Sequence, residues 1–159
     1  MNQNVINVVF AGLGGQGVLK ASDILAEVAF AAGLDVKKSE VHGMSQRGGS
    51  VSSDVRYGGK VASPMVPECE ADYLVVLDET QVPVNEGRLK EGGCLIAPSM
   101  IDISRLQNPK SLNVALLGAL SARLEFPRDW WIEVVKSSLP AKLHEMNIAA
   151  FDLGVESMK

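Results

Sequence analysis

The sequence predicts an α/β fold: a three-layer, Rossmann-like single domain over residues 1–159, built on a mixed, mostly parallel sheet. Three observations carry that reading. A short apolar run at 5–11 (VINVVFA) ends in glycines and opens directly into a helical stripe. Two later runs, 71–77 (ADYLVVL) and 93–97 (GCLIA), have the nearly continuous apolar character of strands buried on both faces. Before them, Val51, Ser53, Val55 and Tyr57 alternate with Ser52, Asp54 and Arg56, as in a strand with one wetter face.

Element by element, the first forty residues read as a βαβ unit. After 5–11 and the turn Gly12–Gly17, a stripe of Val18, Ala21, Leu25, Val28, Ala29 and Ala32 falls on one helix face. Gly33 stops that helix in the manner of a C-terminal glycine, and 34–41 resumes as a second strand. Residues 42–50 (HGMSQRGGS) are polar, glycine-rich and aperiodic, hence a loop. The alternating strand ends at Gly58-Gly59, which reads as a two-residue hairpin turn with 60–63 returning before Pro64. Asp78, after the next strand, is placed as an N-cap or a site residue. Residues 80–90 make a weak helix interrupted by Pro83 and Gly87, and 113–124, 130–139 and 141–151 read as three further helices.

Composition bounds what such a domain does. Hydrophobic residues are 47% of the chain, enough for a packed core. Fifteen Lys and Arg stand against 19 Asp and Glu, a net charge of −4, so the basic surplus of a nucleic-acid domain is missing. A basic membrane-surface helix is unsupported for the same reason, and no apolar stretch approaches the ~20 residues of a span. The N-terminal stretch lacks the charged region of a signal peptide. Cytoplasmic localisation is the expectation. Cys69 and Cys94 are the only cysteines. Two thiolates cannot build a Cys₄ zinc site or a four-thiolate iron–sulfur cluster within the chain.

Gly12, Gly14 and Gly17 fit G-x-G-x-x-G after a strand and at the opening of a helix. Glycines there let the backbone approach a phosphate, and the free N–H groups of the helix start supply partial positive charge. The alternative is a tight turn whose glycines only let strand and helix pack. Gly15 and Gln16 make the turn wider and more polar than a dinucleotide needs. Glu40, at the end of the second strand, stands where a ribose-binding carboxylate belongs. The loop after that strand carries Ser45, Gln46 and Arg47 between glycines, and Arg47 suits a bidentate grip on phosphate. His144 reads as a surface histidine. Trp130 and Trp131 are either an interface anchor or one core ring beside one exposed edge.

The motifs carry a resemblance. AGLGGQGVLKASDILAEVAFAAG, SEVHGMSQRGGSVSSDVRYG, SPMVPECEADYLVVLDE, SLNVALLGALS and NIAAFDLG resemble, in order, blocks of the gamma subunits or domains of 2-oxoacid:ferredoxin oxidoreductases. EVHGMSQRGG points to the indolepyruvate branch. The segment between Pro98 and Asn113 looks shorter than in that family. The resemblance implies a small subunit of a thiamine-diphosphate enzyme that oxidatively decarboxylates a 2-oxo acid and passes the acyl group to coenzyme A. It places thiamine diphosphate, magnesium and iron–sulfur clusters on a large partner subunit, with ferredoxin as electron acceptor, in a hetero-oligomer. It also implies no catalytic residue in this chain. Gly12, Gly14, Gly15, Gln16, Gly17, Ser45, Gln46 and Arg47 would contact coenzyme A or shape a shared cleft. The rival readings are a stand-alone nicotinamide-dependent oxidoreductase using Gly12–Gly17 and Glu40, and a nucleotide-binding or structural module.

Overall fold

The structure is a computed structural model that describes residues 4–42 and 49–159, with the His42 side chain also outside the description. Five strands form one sheet in the order β2-β3-β1-β4-β5. They are β1 (Ile6–Leu13), β2 (Asp35–His42), β3 (Ser50–Gly58), β4 (Ala71–Val76) and β5 (Leu89–Ile96). β4 lies parallel to β1 and β5 parallel to β4, whereas β3 runs antiparallel to both β1 and β2. Four strands therefore point one way and β3 alone points the other.

The βαβ unit is present, but it is split. Helix α1 (Val18–Ala31) crosses from β1 to β2, and β3 then turns back to fill the space between them, pairing Ile6 with Tyr57 and Tyr57 with Val36. The hairpin expected at Gly58-Gly59 is not formed, and 60–63 make no strand. β3 instead pairs with β2 across the 43–48 connection. Gly58 is a packing glycine: a Cβ there would lie 2.5 Å from the Asn4 carbonyl oxygen, where the incoming chain passes.

Alternation across the pleat divides the core. Val8 and Phe10 of β1, Val75 of β4 and Ile96 of β5 face α1, α3 (Leu112–Ser121), α4 (Arg128–Ser138) and α5 (His144–Ser157). Val9, Ala11, Leu74 and Val76 face the opposite side, where the third layer is thin. It consists of segment 59–70, which contributes Val66, and the single-turn helix α2 (Val82–Asn85), flanked by 3₁₀ turns at Glu79–Gln81 and Glu86–Arg88. That cover is pinned by polar side chains. Arg56 donates to Asn7 Oδ1 at 2.8 Å and to the Ser63 carbonyl at 2.7 Å. The buried Asp54 carboxylate accepts from Val66 N–H at 3.0 Å and Arg88 at 2.8 Å.

On the helical side, α3 and α5 touch backbone to backbone. A Cβ on Gly118 would sit 1.9 Å from the Phe151 carbonyl oxygen, and one on Gly154 would sit 1.7 Å from that of Ala115. Trp131 is fully buried and Trp130 is 43% exposed, the core-and-edge alternative for that pair. His144 is half-buried, and its Nε2 lies 2.8 Å from the Leu139 carbonyl beyond the end of α4, so it is a structural histidine and not a free surface one.

Candidate functional site

Strand β1 ends at the centre of the sheet, and its C-terminal turn is where the sequence places the site. The turn is built on Gln16. Its Oε1 accepts the Leu13 N–H at 2.7 Å, and its Nε2 donates to Asp78 Oδ2 at 2.8 Å. Asp78 Oδ1 in turn accepts the Thr80 hydroxyl at 2.6 Å and the Thr80 N–H at 3.0 Å. The hydroxyl is the largest reason the Asp78 carboxyl is held below its usual value, with the Gln16 amide next. Asp78 is thus both the N-cap of the 3₁₀ turn and the brace of the glycine turn.

Each glycine has a distinct place. Gly12 is buried, and a Cβ would meet Gln16 Oε1 and Val18 Cγ2 at 2.9 Å, so close packing of the turn requires a glycine there. Gly14 and Gly15 are exposed at the tip, and Gly15 has φ +88° with open space around its missing side chain. Gly17 caps α1 with φ +85°, a conformation costly for any residue with a Cβ. Its own Cβ would fall 2.5 Å from Asn113 Nδ2.

Asn113 went unrecognised in the sequence. It lies in the first turn of α3, donates to the Gly17 carbonyl at 3.4 Å, and is largely buried. A buried amide two residues after a Ser, close behind Pro109, was the available signal. Together Gly15, Gln16, Gly17, Leu77, Lys110 and Asn113 line a cleft of about 380 Å³, with Pro109 and Leu112 on its outer wall. That wall is the end of 98–113, which folds as three successive 3₁₀ turns, Pro98–Met100, Ile103–Arg105 and Pro109–Ser111. A second hollow on the other side of the turn is bordered by Gly14, Val18, Lys20 and Val51.

The start of α1 suits an anion. The amides of Val18, Leu19 and Lys20 open α1 without an intrahelical acceptor, and no acidic residue occupies that first turn to offset them. Those three residues border the second hollow, whereas Lys110 borders the 380 Å³ cleft together with Gly15–Gly17. Ser45, Gln46 and Arg47 lie outside the described residues. The ends of their segment are fixed: His42 pairs with Val51, Leu13 pairs with Ser50, and Gly14 N–H donates to the Gly49 carbonyl at 3.1 Å.

The structure separates Glu40 from this cleft. With β3 inserted, β2 is the second strand away from β1, on the order of 10 Å across the sheet. Glu40 pairs there with Lys38 at 3.1 Å. A ribose-binding carboxylate must lie on the strand next to the glycine turn, so the nicotinamide-dinucleotide reading fails on topology. Cys69 is exposed and Cys94 half-buried on β5, and among the described residues no three His, Cys, Asp or Glu side chains converge as metal ligands.

A split βαβ unit whose central strand ends in a glutamine-braced glycine turn beside a cleft defines a Rossmann-like α/β domain. Residues 7–110 match the pyruvate ferredoxin/flavodoxin oxidoreductase family, and the chain belongs to it. It is 34% identical to indolepyruvate oxidoreductase subunit IorB of Pyrococcus horikoshii, over 96% of each chain. Its structure resembles that of the keto/oxoacid ferredoxin oxidoreductase gamma subunit from Geobacter sulfurreducens, with a TM-score of 0.82 at 25% identity over 96% of this chain and 98% of the other. The 2-oxoglutarate:ferredoxin oxidoreductase of Magnetococcus marinus, solved with 2-oxoglutarate, coenzyme A and succinyl-CoA bound, shares the fold at a TM-score of 0.85 and 18% identity. This chain covers 31% of that larger one and is itself covered over 99% of its length.

Proposed function

We propose that this chain is the small subunit of a 2-oxoacid:ferredoxin oxidoreductase acting on an aryl pyruvate, and that its cleft receives an anionic portion of coenzyme A. The observation that carries the reading is the juxtaposition in one cleft of the glycine turn Gly15–Gly17, which leads into the N-terminus of α1, with Lys110 and Asn113. Phosphate groups are the ligand chemistry such a helix start accepts. Gly14, Gly15 and Gly17 give close backbone approach, Gly12 and Gln16 hold the turn in shape, and Ser45, Gln46 and Arg47 supply further polar contacts from the adjoining segment. The match to an indolepyruvate oxidoreductase subunit supports the aryl substrate.

A four-thiolate iron–sulfur cluster does not fit this chain. Two cysteines fall short of a four-thiolate cluster, and they lie on different elements. The decarboxylation and electron transfer to ferredoxin are therefore assigned to a large partner subunit. No helix among the described residues is long and apolar enough to cross a membrane, in keeping with a cytoplasmic complex.

The test uses the complex purified anaerobically, assayed with an aryl pyruvate, coenzyme A and a viologen acceptor. Arg47→Ala and Lys110→Ala are each expected to raise KM for coenzyme A by about ten-fold or more, as expected for loss of a charge-assisted contact, while kcat changes little. An unchanged KM in both variants overturns the coenzyme A assignment.

A further inference from the structure

At the opposite end of the sheet lies a second cleft of about 380 Å³, bordered by the strand ends that point away from the glycine turn. Ile6 opens β1 there, Tyr57 nearly closes β3, and Tyr73 is the third residue of β4. Measured along β1, this cleft is about 23 Å from the turn at Leu13. Its volume falls within the range of small-molecule sites.

The lining is aromatic and its polar groups converge. Tyr57 and Phe126 rings pack with centroids 5.4 Å apart, and Phe126 in turn stacks on Trp130 at 6.4 Å. Leu34 and Leu124 add apolar surface. Tyr57 is only 6% exposed, and none of the described residues accepts its hydroxyl proton. Burial pushes its phenol far above the ordinary range, so it is a fixed donor at every physiological pH. Tyr73 differs: its hydroxyl is already used, donating to the Arg123 carbonyl at 3.2 Å. Arg123 is exposed at the mouth of the cleft and forms no ion pair among the described residues. Glu125 stands two residues on.

A tyrosine hydroxyl and a guanidinium, neither paired among the described residues, and a wall of rings specify a complementary ligand. It must carry an acceptor or an anion at one end and a flat apolar body at the other. We infer that this cleft binds a small aromatic carboxylate, its carboxylate held by Tyr57 and Arg123 and its ring laid against Tyr73 and Phe126. Lying at the other end of the strands, the cleft is separate from the one beside the glycine turn. Aryl 2-oxo acids, arylacetates and aromatic amino acids share this chemistry. Glu125 favours the amino acids, because it offers a partner to the ammonium group.

The test titrates the full chain with indole-3-acetate, phenylpyruvate and L-tryptophan separately, following ¹H–¹⁵N shifts and calorimetric heats, with acetate and cyclohexylacetate as controls. Saturable binding of at least one aromatic acid is expected, with shift changes centred on Tyr57, Tyr73 and Phe126. Binding of L-tryptophan alone identifies an amino acid, and equal binding of all three identifies any aryl carboxylate. Tyr57→Phe is expected to weaken binding about five-fold and Arg123→Ala about ten-fold or more. Both leave the fold intact, because one keeps the ring and the other lies on the surface. No saturable binding overturns the inference. So do shifts centred on Gly15 and Asn113, or affinities unchanged in both variants. None of these outcomes bears on KM for coenzyme A, so this site and the glycine cleft are tested separately.

Discussion

Gln16→Glu is the sharpest probe of the turn, because it changes one atom of a defined contact. Glutamate keeps the oxygen that accepts the Leu13 N–H, but it replaces the donor to Asp78 with a second carboxylate oxygen at a separation of 2.8 Å. Losing a hydrogen bond to a charged group costs about 1.5–3 kcal/mol. Two unit charges at that distance repel by about 6 kcal/mol at an effective dielectric near 20. Asp78 is only half-buried, so water and side-chain rotation reduce the repulsion to about 2 kcal/mol. The expected total is about 3.5–5 kcal/mol near neutral pH, or roughly 7–20 °C in Tm for a chain of this size. The sign with pH is fixed. Paired carboxylates raise each other's affinity for a proton, so the variant regains stability as pH falls toward 5 and one proton is shared. The wild type behaves oppositely: Asp78 is held below 3.8, so its contribution is present above that value and disappears as pH falls through its folded-state pKa. Urea unfolding at pH 7.5 and pH 5, repeated in Gln16→Glu/Asp78→Asn, reads both effects. A deficit that is the same at both pH values and is not reduced by Asp78→Asn refutes the brace.

Other outcomes follow from the same coordinates. Gly17→Ala places a Cβ in left-handed backbone and 2.5 Å from Asn113, and it should cost more than the ~1–2 kcal/mol of the backbone term alone. Gly17→Ala/Asn113→Ala should recover the excess, as read by a double-mutant cycle in thermal unfolding. Gly118→Ala should prevent α3 and α5 from meeting and cost more than about 4 kcal/mol, seen as loss of a cooperative transition in circular dichroism. Arg88→Met leaves Asp54 charged in a nearly dry site. It should destabilise by about 3 kcal/mol at pH 7, with faster proteolysis between 59 and 70 than in the wild type.

The strands and helices were legible where local pattern and tertiary placement agree. The apolar run of β1, the glycine turn, α1 and β4 are set by residues within a few positions of one another. β3 was recognised as a strand by its alternation, but its neighbours were not, because pairing partners fifty residues apart leave no local mark. Gly58-Gly59 shows the cost of that: two glycines look like a hairpin turn, yet Gly58 is small so that the Asn4 backbone can pass beside it. The same displacement of β2 removed Glu40 from the site. At the cleft itself, the glycines announced the turn, whereas the brace between Gln16 and Asp78 joins residues 62 apart. Asn113 was hidden for the converse reason, being read only as the opening of a helix.

The reciprocal seating of Gly118 against Phe151 and Gly154 against Ala115 sets an order of events during synthesis. α3 carries Asn113 into contact with Gly17, but α3 is apolar on nearly every side and has little surface fit to face water until α5 covers it. α5 leaves the ribosome after α3, β1 and the glycine turn. A nascent chain that already displays all five strands therefore still lacks one wall of its cleft. Completion of that cleft must wait for the last helix, so the glycine turn acquires its facing wall only at the end of synthesis.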